Sequence, residues 1–323
     1  MNELRLGTRG SKLALAQSQI VIDELRRLYP DLRIRVCVIR TKGDVIGDVP
    51  LQRVGGKGFF VKEIEMALLN GEIDIAVHSA KDLPTTIMDG LTIAAVCNRL
   101  DPRDAIVMRA SQRATEAPEG ASDIDILNIL PVGAVMGTSS LRRHAQLLHL
   151  RPDLVMRHMR GNVDTRLRKL DEGGFDAIVV AAAALIRLGL EHRITALLPI
   201  HVCTPAAGQG ALAIEARSDD ETVISLIKPL DDERARAEVE AERALVSALG
   251  AGCHVPVGAC ARWVGNDELE LTAAVASQGG KLLIRKTTRG AASRPRELGI
   301  RLAEMLMADG AEKLLTNQQP HEF

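Results

Sequence analysis

The first two thirds of the chain alternate short apolar runs with amphipathic stretches. Helical periodicity predicts one helix at 12–28, capped by Ser11, and another that ends at Gly71. A loop is predicted at 101–104. Strands are predicted at 4–7, 33–38, 73–77, 91–96, 134–136, 154–159, 177–180 and 211–216. Strands separated by helices indicate an α/β fold.

The pattern changes in the last third of the chain. A strong helix is predicted at 231–249, rich in alanine, glutamate and arginine and ended by Gly250. Three strands follow at 257–264, 269–276 and 281–288, with Gly279-Gly280 as a hairpin turn, and a helix near 296–308 closes the segment. Consecutive strands flanked by helices indicate a separate α+β domain.

Composition is that of an ordinary globular protein. The 323 residues exceed the usual size of a single core, so two or three domains are expected. Hydrophobic residues make up 46% and the formal net charge is -1, which gives no support for nucleic-acid binding. No apolar run is long enough to span a bilayer and no secretion signal is present. We therefore expect no membrane partner, and a cytoplasmic protein or an organelle protein whose transit peptide is absent from this sequence.

The five cysteines are odd in number and include no C-x-x-C pair. A disulfide framework, a zinc ribbon and other metal sites are therefore not expected. Cys253 stands between Gly252 and His254 on a predicted loop, where nearby cations would favour its thiolate. A lone cysteine is more often an inert buried thiol, so both interpretations stay open.

The richest cluster of polar groups follows the strand at 73–77. His78, Ser79, Lys81 and Asp82 lie within five residues, and Pro84 prevents regular structure from continuing. The carboxyl ends of strands are where open α/β sheets bind ligands. The alternative is a solvated turn in which Asp82 bonds its own backbone.

Cations follow several other predicted strands. Arg9 lies at a strand–glycine–helix junction, a site that favours anions. The ends of three later strands carry Arg142, Arg143, Arg160, Arg166 and Arg187. A single arginine at a helix start is usually a surface residue. Repeated placement after strands favours a polyanionic ligand instead, and the five would converge if the strands are parallel neighbours.

Glycines between 42 and 58 predict a long loop that carries Lys57 towards a helix. The sequence at 55–58 is not a Walker motif, because Gly58 stands where serine or threonine is required. The remaining interpretation is a basic, glycine-rich loop.

Taken together, these motifs resemble the porphobilinogen deaminase (hydroxymethylbilane synthase) family over essentially the whole chain. Each motif is weak alone, but their joint order is specific. The matching segments are 8–11, 54–58, 76–84, 137–143, 160–167, 187–190, 205–210 and 252–253.

The resemblance implies two lobes like type II periplasmic binding proteins plus a smaller C-terminal α+β domain. The implied boundaries are 1–98 completed by 211–228, then 103–205, then 232–323. It also implies a monomeric transferase of tetrapyrrole and haem biosynthesis. Four porphobilinogen molecules would be deaminated and joined head to tail on a covalent dipyrromethane cofactor, then released as hydroxymethylbilane.

By the same resemblance, Cys253 carries the dipyrromethane and Asp82 is the catalytic carboxylate. Loss of ammonia leaves a cationic azafulvene, which a fixed carboxylate at the pyrrole N–H would stabilise. Contacts with cofactor or substrate are implied for Arg9, Ser11, Lys57, Lys81, Ser140, Arg142, Arg143, Arg160, Arg166, Arg187, Gln209 and Arg243.

Two other classes of function fit the same sequence features. A solute-binding or effector-sensing module would share the two-lobed architecture, since fold does not fix function. An anion-binding structural protein would also account for the arginines. Neither class of protein requires a cysteine such as Cys253 on a separate domain. The presence of this residue therefore favours the enzyme.

Overall fold

The computed structural model describes residues 3–41, 61–109, 125–251 and 255–316. Strands are β1 (Glu3–Thr8), β2 (Arg33–Val38), β3 (Ile75–Ser79), β4 (Leu91–Cys97), β5 (Asp104–Met108), β6 (Val135–Gly137), β7 (Val155–Arg157), β8 (Ala177–Ala181), β9 (Ala196–Leu198), β10 (Leu212–Arg217), β11 (Val257–Trp263), β12 (Glu268–Ala276) and β13 (Leu283–Ala291). Helices are α1 (Lys12–Leu28), α2 (Lys62–Leu69), α3 (Leu141–Leu150), α4 (Val163–Asp171), α5 (Ala182–Arg187), α6 (Glu221–Ile227), α7 (Glu233–Ala248), α8 (Pro295–Ala308) and α9 (Ala311–Thr316).

Two five-stranded sheets share one strand order. The first runs β2-β1-β3-β10-β4 and the second β7-β6-β8-β5-β9. In each sheet three neighbouring strands are parallel, and the fourth position holds an antiparallel strand, β10 in the first sheet and β5 in the second. The predicted α/β fold class is therefore confirmed, with two lobes organised alike, as the resemblance implies.

Helices cover both faces of the first sheet. Ile75 and Val77 of β3 pack with α1, whereas Ala76 packs with Ile64 and Leu68 of α2. Successive strand residues point to opposite faces, so this apolar run is buried on both sides. A strand fixed in this way holds the polar turn that follows it in one place.

The chain crosses between the two sheets twice, once from β4 to β5 and again from β9 to β10. The crossings contact each other, since the N–H of Leu100 donates to the carbonyl of Gly210 over 3.0 Å. Gly210 has a φ of 93°, and a Cβ there would lie 2.4 Å from the carbonyl oxygen of Leu100. Only glycine permits this conformation and this approach.

The third sheet is antiparallel, in the order β11-β12-β13. Leu245 of α7 and Leu302 of α8 lie in its core with Leu271 of β12, all at 0% exposure. The predicted α+β character of this segment is confirmed. The domain boundaries given above stay a prediction.

Two strands of the second sheet escaped prediction, and one was predicted too long. β5 begins at Asp104, the last residue of the loop predicted at 101–104, and all of its residues are buried. Such a strand has no polar alternation to reveal it, and β9 is only three residues long. The strand predicted at 154–159 is limited to β7, Val155–Arg157. Within the described part of the chain, no helix is long and apolar enough to cross a membrane.

Candidate active site

Asp82 is an exposed carboxylate on a firmly held turn. A 3₁₀ turn, Ala80–Asp82, directly follows β3, and Ala80 and Leu83 are buried on either side of the exposed side chain. Arg243 of α7 donates to the carbonyl of Leu83 over 3.4 Å and to that of Pro84 over 2.5 Å. The backbone that carries Asp82 is therefore held in place while its carboxylate faces solvent.

Lys81 is half-buried beside it and points to the second crossing. Its Nζ donates to Oε1 of Gln209 over 3.1 Å. Burial lowers the pKa of Lys81 to about 8, and the nearby Arg143 adds to this effect, while Asp82 and Asp104 oppose it. A lysine with this pKa loses its charge at a pH where an ordinary lysine keeps it.

A buried carboxylate, Asp104, organises the groups behind this turn. It lies at the start of β5 with 0% exposure. Arg142 and Arg143 contact its two oxygens over 2.7 and 2.8 Å, and Nε2 of Gln209 donates to Oδ1 over 2.8 Å. Burial raises the pKa of Asp104, but the two guanidinium groups outweigh this and hold the pKa well below its usual range. Asp104 is therefore a charged acceptor.

Arg142 and Arg143 are only 6% exposed and bond largely to the protein itself. Nη1 of Arg142 also donates to the carbonyl of Thr204 over 2.7 Å, and Nη1 of Arg143 to that of Val179 over 3.1 Å. Both lie in the first turn of α3, whose N-cap, Ser140, accepts from the N–H of Arg143 over 3.4 Å. Ser140, Arg142 and Arg143 thus lie beside the Asp82 turn. Several of their hydrogen-bond donors or acceptors are already bonded to other protein groups.

Arg160 and Arg166 follow β7 at the same edge. Burial lowers the pKa of Arg166 to about 10, Arg143 and Arg160 add to this, and the charge of Asp82 opposes it. These interactions require the three arginines and Asp82 to lie within electrostatic reach of one another. The side chain of Arg166 is fixed by a bond from its Nε to the carbonyl of Gly161, 2.8 Å. The predicted parallel neighbourhood of β6, β7 and β8 is confirmed.

Arg9 and Ser11 lie between β1 and α1, next to β3 in the sheet. Ser11 caps α1 as predicted, and its Oγ accepts from the N–H of Ala14 over 3.2 Å. Gln17 of α1 reaches across to Ser79 at the end of β3, with 2.7 Å between Nε2 and Oγ. The helix start is therefore tied to the strand that precedes Asp82.

Arg187 lies at a different place from the other strand-end arginines. Its Nη2 donates to the carbonyls of Asn98 and Gly210 over 2.8 and 2.7 Å, one in each crossing between the sheets.

Cys253 and Lys57 lie outside the described residues, so their predicted roles stay predictions. Sequence reasoning missed Asp104, whose only signal was a charged residue directly before an apolar run.

Comparison with known proteins gives the site a context. A family model described as "Porphobilinogen deaminase, dipyromethane cofactor binding domain" matches residues 4–225, and one described as "Porphobilinogen deaminase, C-terminal domain" matches residues 236–308. The chain belongs to the porphobilinogen deaminase family. This family polymerises porphobilinogen on a dipyrromethane cofactor to make hydroxymethylbilane.

Curated relatives support the same assignment over nearly the full length. The porphobilinogen deaminases of Brevibacillus brevis and Desulforudis audaxviator are 47% and 50% identical to this chain over 315 and 313 residues. These alignments cover 98% and 97% of this chain and 97% of each relative. Among solved structures, the methionine binding protein MetQ aligns with a TM-score of 0.42 at 13% identity, over 71% of this chain and 89% of that protein.

Proposed function

We propose that this chain deaminates porphobilinogen and joins four molecules head to tail on a dipyrromethane attached to Cys253, releasing hydroxymethylbilane. Membership of the porphobilinogen deaminase family supports the reaction. The observation that carries the assignment of the site is one exposed carboxylate, Asp82, with Lys81 beside it and Arg143 and Arg166 within electrostatic reach.

Asp82 is proposed as the catalytic group. When ammonia leaves the aminomethyl carbon of porphobilinogen, positive charge develops over the pyrrole ring and its N–H. A carboxylate fixed at that N–H stabilises the charge as it forms and needs little reorganisation. The backbone of the Asp82 turn is already held by Arg243, which is why Arg243 is better assigned to positioning this turn than to binding a carboxylate.

The cations around Asp82 fit a cofactor and substrate that carry acetate and propionate groups. Lys81 and Arg166 are partly accessible and each is close enough to Asp82 for their charges to interact. We assign carboxylate binding to them together with Arg9 and Arg160. Arg142 and Arg143 also hold Asp104, so we assign them to shaping the floor of the site as well. When bound, the cofactor supplies the pyrrole terminus to which the first substrate unit is added.

With a formal net charge of -1, the chain has no general attraction to nucleic acid, and porphobilinogen is its proposed partner. We propose that it acts as a monomer in the cytoplasm.

The intact mass of the purified, active protein tests this proposal. We expect a mass above that of the sequence by two linked pyrroles, and further steps of one pyrrole unit after brief incubation with porphobilinogen. A Cys253→Ser variant should lack the excess, because a hydroxyl is a far weaker nucleophile than a thiolate. Fully active wild-type protein with the bare sequence mass would exclude the covalent cofactor.

Binding of porphobilinogen by Lys81 should depend on pH. Because the pKa of Lys81 is lowered to about 8, its ammonium loses its charge as the pH rises through that value. If it binds a substrate carboxylate, KM for porphobilinogen should rise above about pH 8 while kcat changes little. KM measured from pH 6.5 to 9.5 (a range of about three units around that pKa) checks this. A Lys81→Arg variant keeps its charge over that range, so a rise of the same size in the variant would contradict the assignment.

A further inference from the structure

Glu242 is a buried carboxylate on α7. It is 0% exposed and accepts three hydrogen bonds from three parts of the fold. The N–H of Gly208 donates to Oε2 over 2.6 Å, the N–H of Ala261 donates to Oε1 over 2.7 Å, and Nη2 of Arg99 donates to Oε1 over 2.6 Å. Glu242 therefore joins both crossings between the lobes to β11 of the third sheet.

Gly208 connects Glu242 to the Asp82 turn. It has a φ of 75°, and a Cβ there would lie 3.0 Å from the carbonyl carbon of Ala80 and 3.0 Å from the nitrogen of Lys81. The turn at 208–209 therefore packs directly against the peptide bond that precedes Lys81. If this turn shifts, either the peptide bond between Ala80 and Lys81 or the side chain of Gln209 must move with it.

Gln209 carries the connection to charged groups. Its amide accepts from Nζ of Lys81 over 3.1 Å and donates to Asp104 over 2.8 Å. The position of Gln209 depends on the preceding Gly208, which Glu242 holds by its N–H. Glu242, Gly208, Gln209 and Lys81 thus form a continuous series of contacts.

The same turn of α7 contacts the other side of the site. Arg243, the next residue, holds the carbonyls of Leu83 and Pro84, just after Asp82. The helix ends at Ala248, five residues before Cys253. Glu242 and Arg243 therefore connect the helix that leads to Cys253 with both sides of the Asp82 turn.

We propose that Glu242 is a positioning residue for porphobilinogen binding, which acts by fixing Gly208 and Gln209 so that the ammonium of Lys81 is held where a substrate carboxylate binds. This inference rests on the proposed function of Lys81. If it is correct, α7, the helix that precedes Cys253, determines the position of the ammonium of Lys81.

Glu242→Gln is the direct test. Glutamine keeps the shape but has one acceptor oxygen, so the N–H of Gly208 and that of Ala261 cannot both be satisfied. With Gly208 no longer held, Gln209 should not keep Lys81 against the substrate carboxylate. Losing one hydrogen bond between that lysine and a carboxylate corresponds to about tenfold or more in binding, so KM should rise by about that factor with kcat nearly unchanged. A purely structural loss would lower the fraction of active enzyme, and hence the apparent kcat, without changing KM.

Glu238→Gln is the matched control. Glu238 also binds Arg99, with Oε2 3.0 Å from Nη1, but neither backbone N–H donates to it. KM should stay at the wild-type value in this variant. An equal rise of KM in Glu238→Gln and Glu242→Gln would overturn the proposal, because it would assign the effect to Arg99 alone.

A double-mutant cycle with Lys81→Met separates this inference from the proposed function. If Glu242 acts through Lys81, Glu242→Gln should have little further effect on KM in the Lys81→Met background. An additive effect, or a normal KM in Glu242→Gln when Lys81→Met alone raises KM, overturns the inference and leaves the role of Lys81 intact. A normal KM in Lys81→Met contradicts the role of Lys81 and removes the inference with it.

Glu242→Asp is the second variant, to be used if Glu242→Gln does not fold. It keeps the charge near Arg99, but its side chain is too short to reach both N–H donors. The same outcomes in KM support or overturn the proposal.

Discussion

Replacing Asp82 with asparagine is expected to lower the single-turnover rate of ammonia release by about a hundredfold to a thousandfold, the usual effect of removing one preorganised electrostatic group. Asparagine keeps the size and most of the hydrogen bonding of aspartate but lacks its negative charge. The exposed side chain makes no contribution to a core, so stability and cofactor loading should change little. Rapid-quench measurement of ammonia, on protein whose cofactor occupancy is known from its mass, provides the rate.

Asp82→Glu is the matched variant. It keeps the charge and displaces it by one methylene, so its rate should lie between those of the wild type and Asp82→Asn. If the cofactor-loaded asparagine variant turns over at the wild-type rate, Asp82 is a solvated turn residue and the catalytic carboxylate is elsewhere.

Local sequence patterns were sufficient to predict the turn that carries Asp82. The apolar run before it, the polar cluster and Pro84 all lie within a few residues, and the structure has a strand followed by a 3₁₀ turn at that place. The cap at Ser11 was predicted for the same reason, since capping depends on residues three positions apart. Features of this kind depend on short-range interactions alone.

The contacts that organise the interior of the site could not be predicted in this way. Lys81 and Gln209 are 128 residues apart in sequence, and Arg142 lies 38 residues from Asp104. Lys81 meets Gln209 because the chain returns to the first sheet as β10, beside β3, and Arg142 meets Asp104 because β5 lies within the second sheet beside β8. No periodicity in the sequence encodes this strand order. A glutamate such as Glu242 in an amphipathic helix looks like a solvated residue until its buried donors are known.

Arg187 illustrates the same limit. Its position after a strand grouped it with Arg160 and Arg166, yet the helix α5 separates it from the end of β8. That displacement brings its guanidinium to the carbonyls of the two crossings. The sequence indicated that arginines follow three strands, but not how far the residues between strand and arginine displace the side chain.

Asp104→Asn should have the largest effect on stability, because it leaves two buried guanidinium groups without their shared carboxylate. Breaking a buried ion pair by removing one partner costs about 3–5 kcal/mol, so the free energy of unfolding measured in urea at pH 7 should fall by about that amount. Asp171→Asn is a suitable control: its pair with Arg193, 2.7 Å, is half exposed, and such pairs contribute only about 0–1 kcal/mol.

The effect of Asp104→Asn should also depend on pH in a defined direction. Arg142 and Arg143 hold the pKa of Asp104 below its usual range in the folded protein, whereas in the unfolded chain it is about 3.9. The stability that this charge contributes is therefore present in full above about pH 4 and is lost as the pH falls towards the folded pKa. The difference in unfolding free energy between wild type and variant should shrink as the pH is lowered from about 5 to 2. A difference that stays constant over that range, or a variant as stable as the wild type at pH 7, would show that Asp104 does not supply the charge that holds the two arginines.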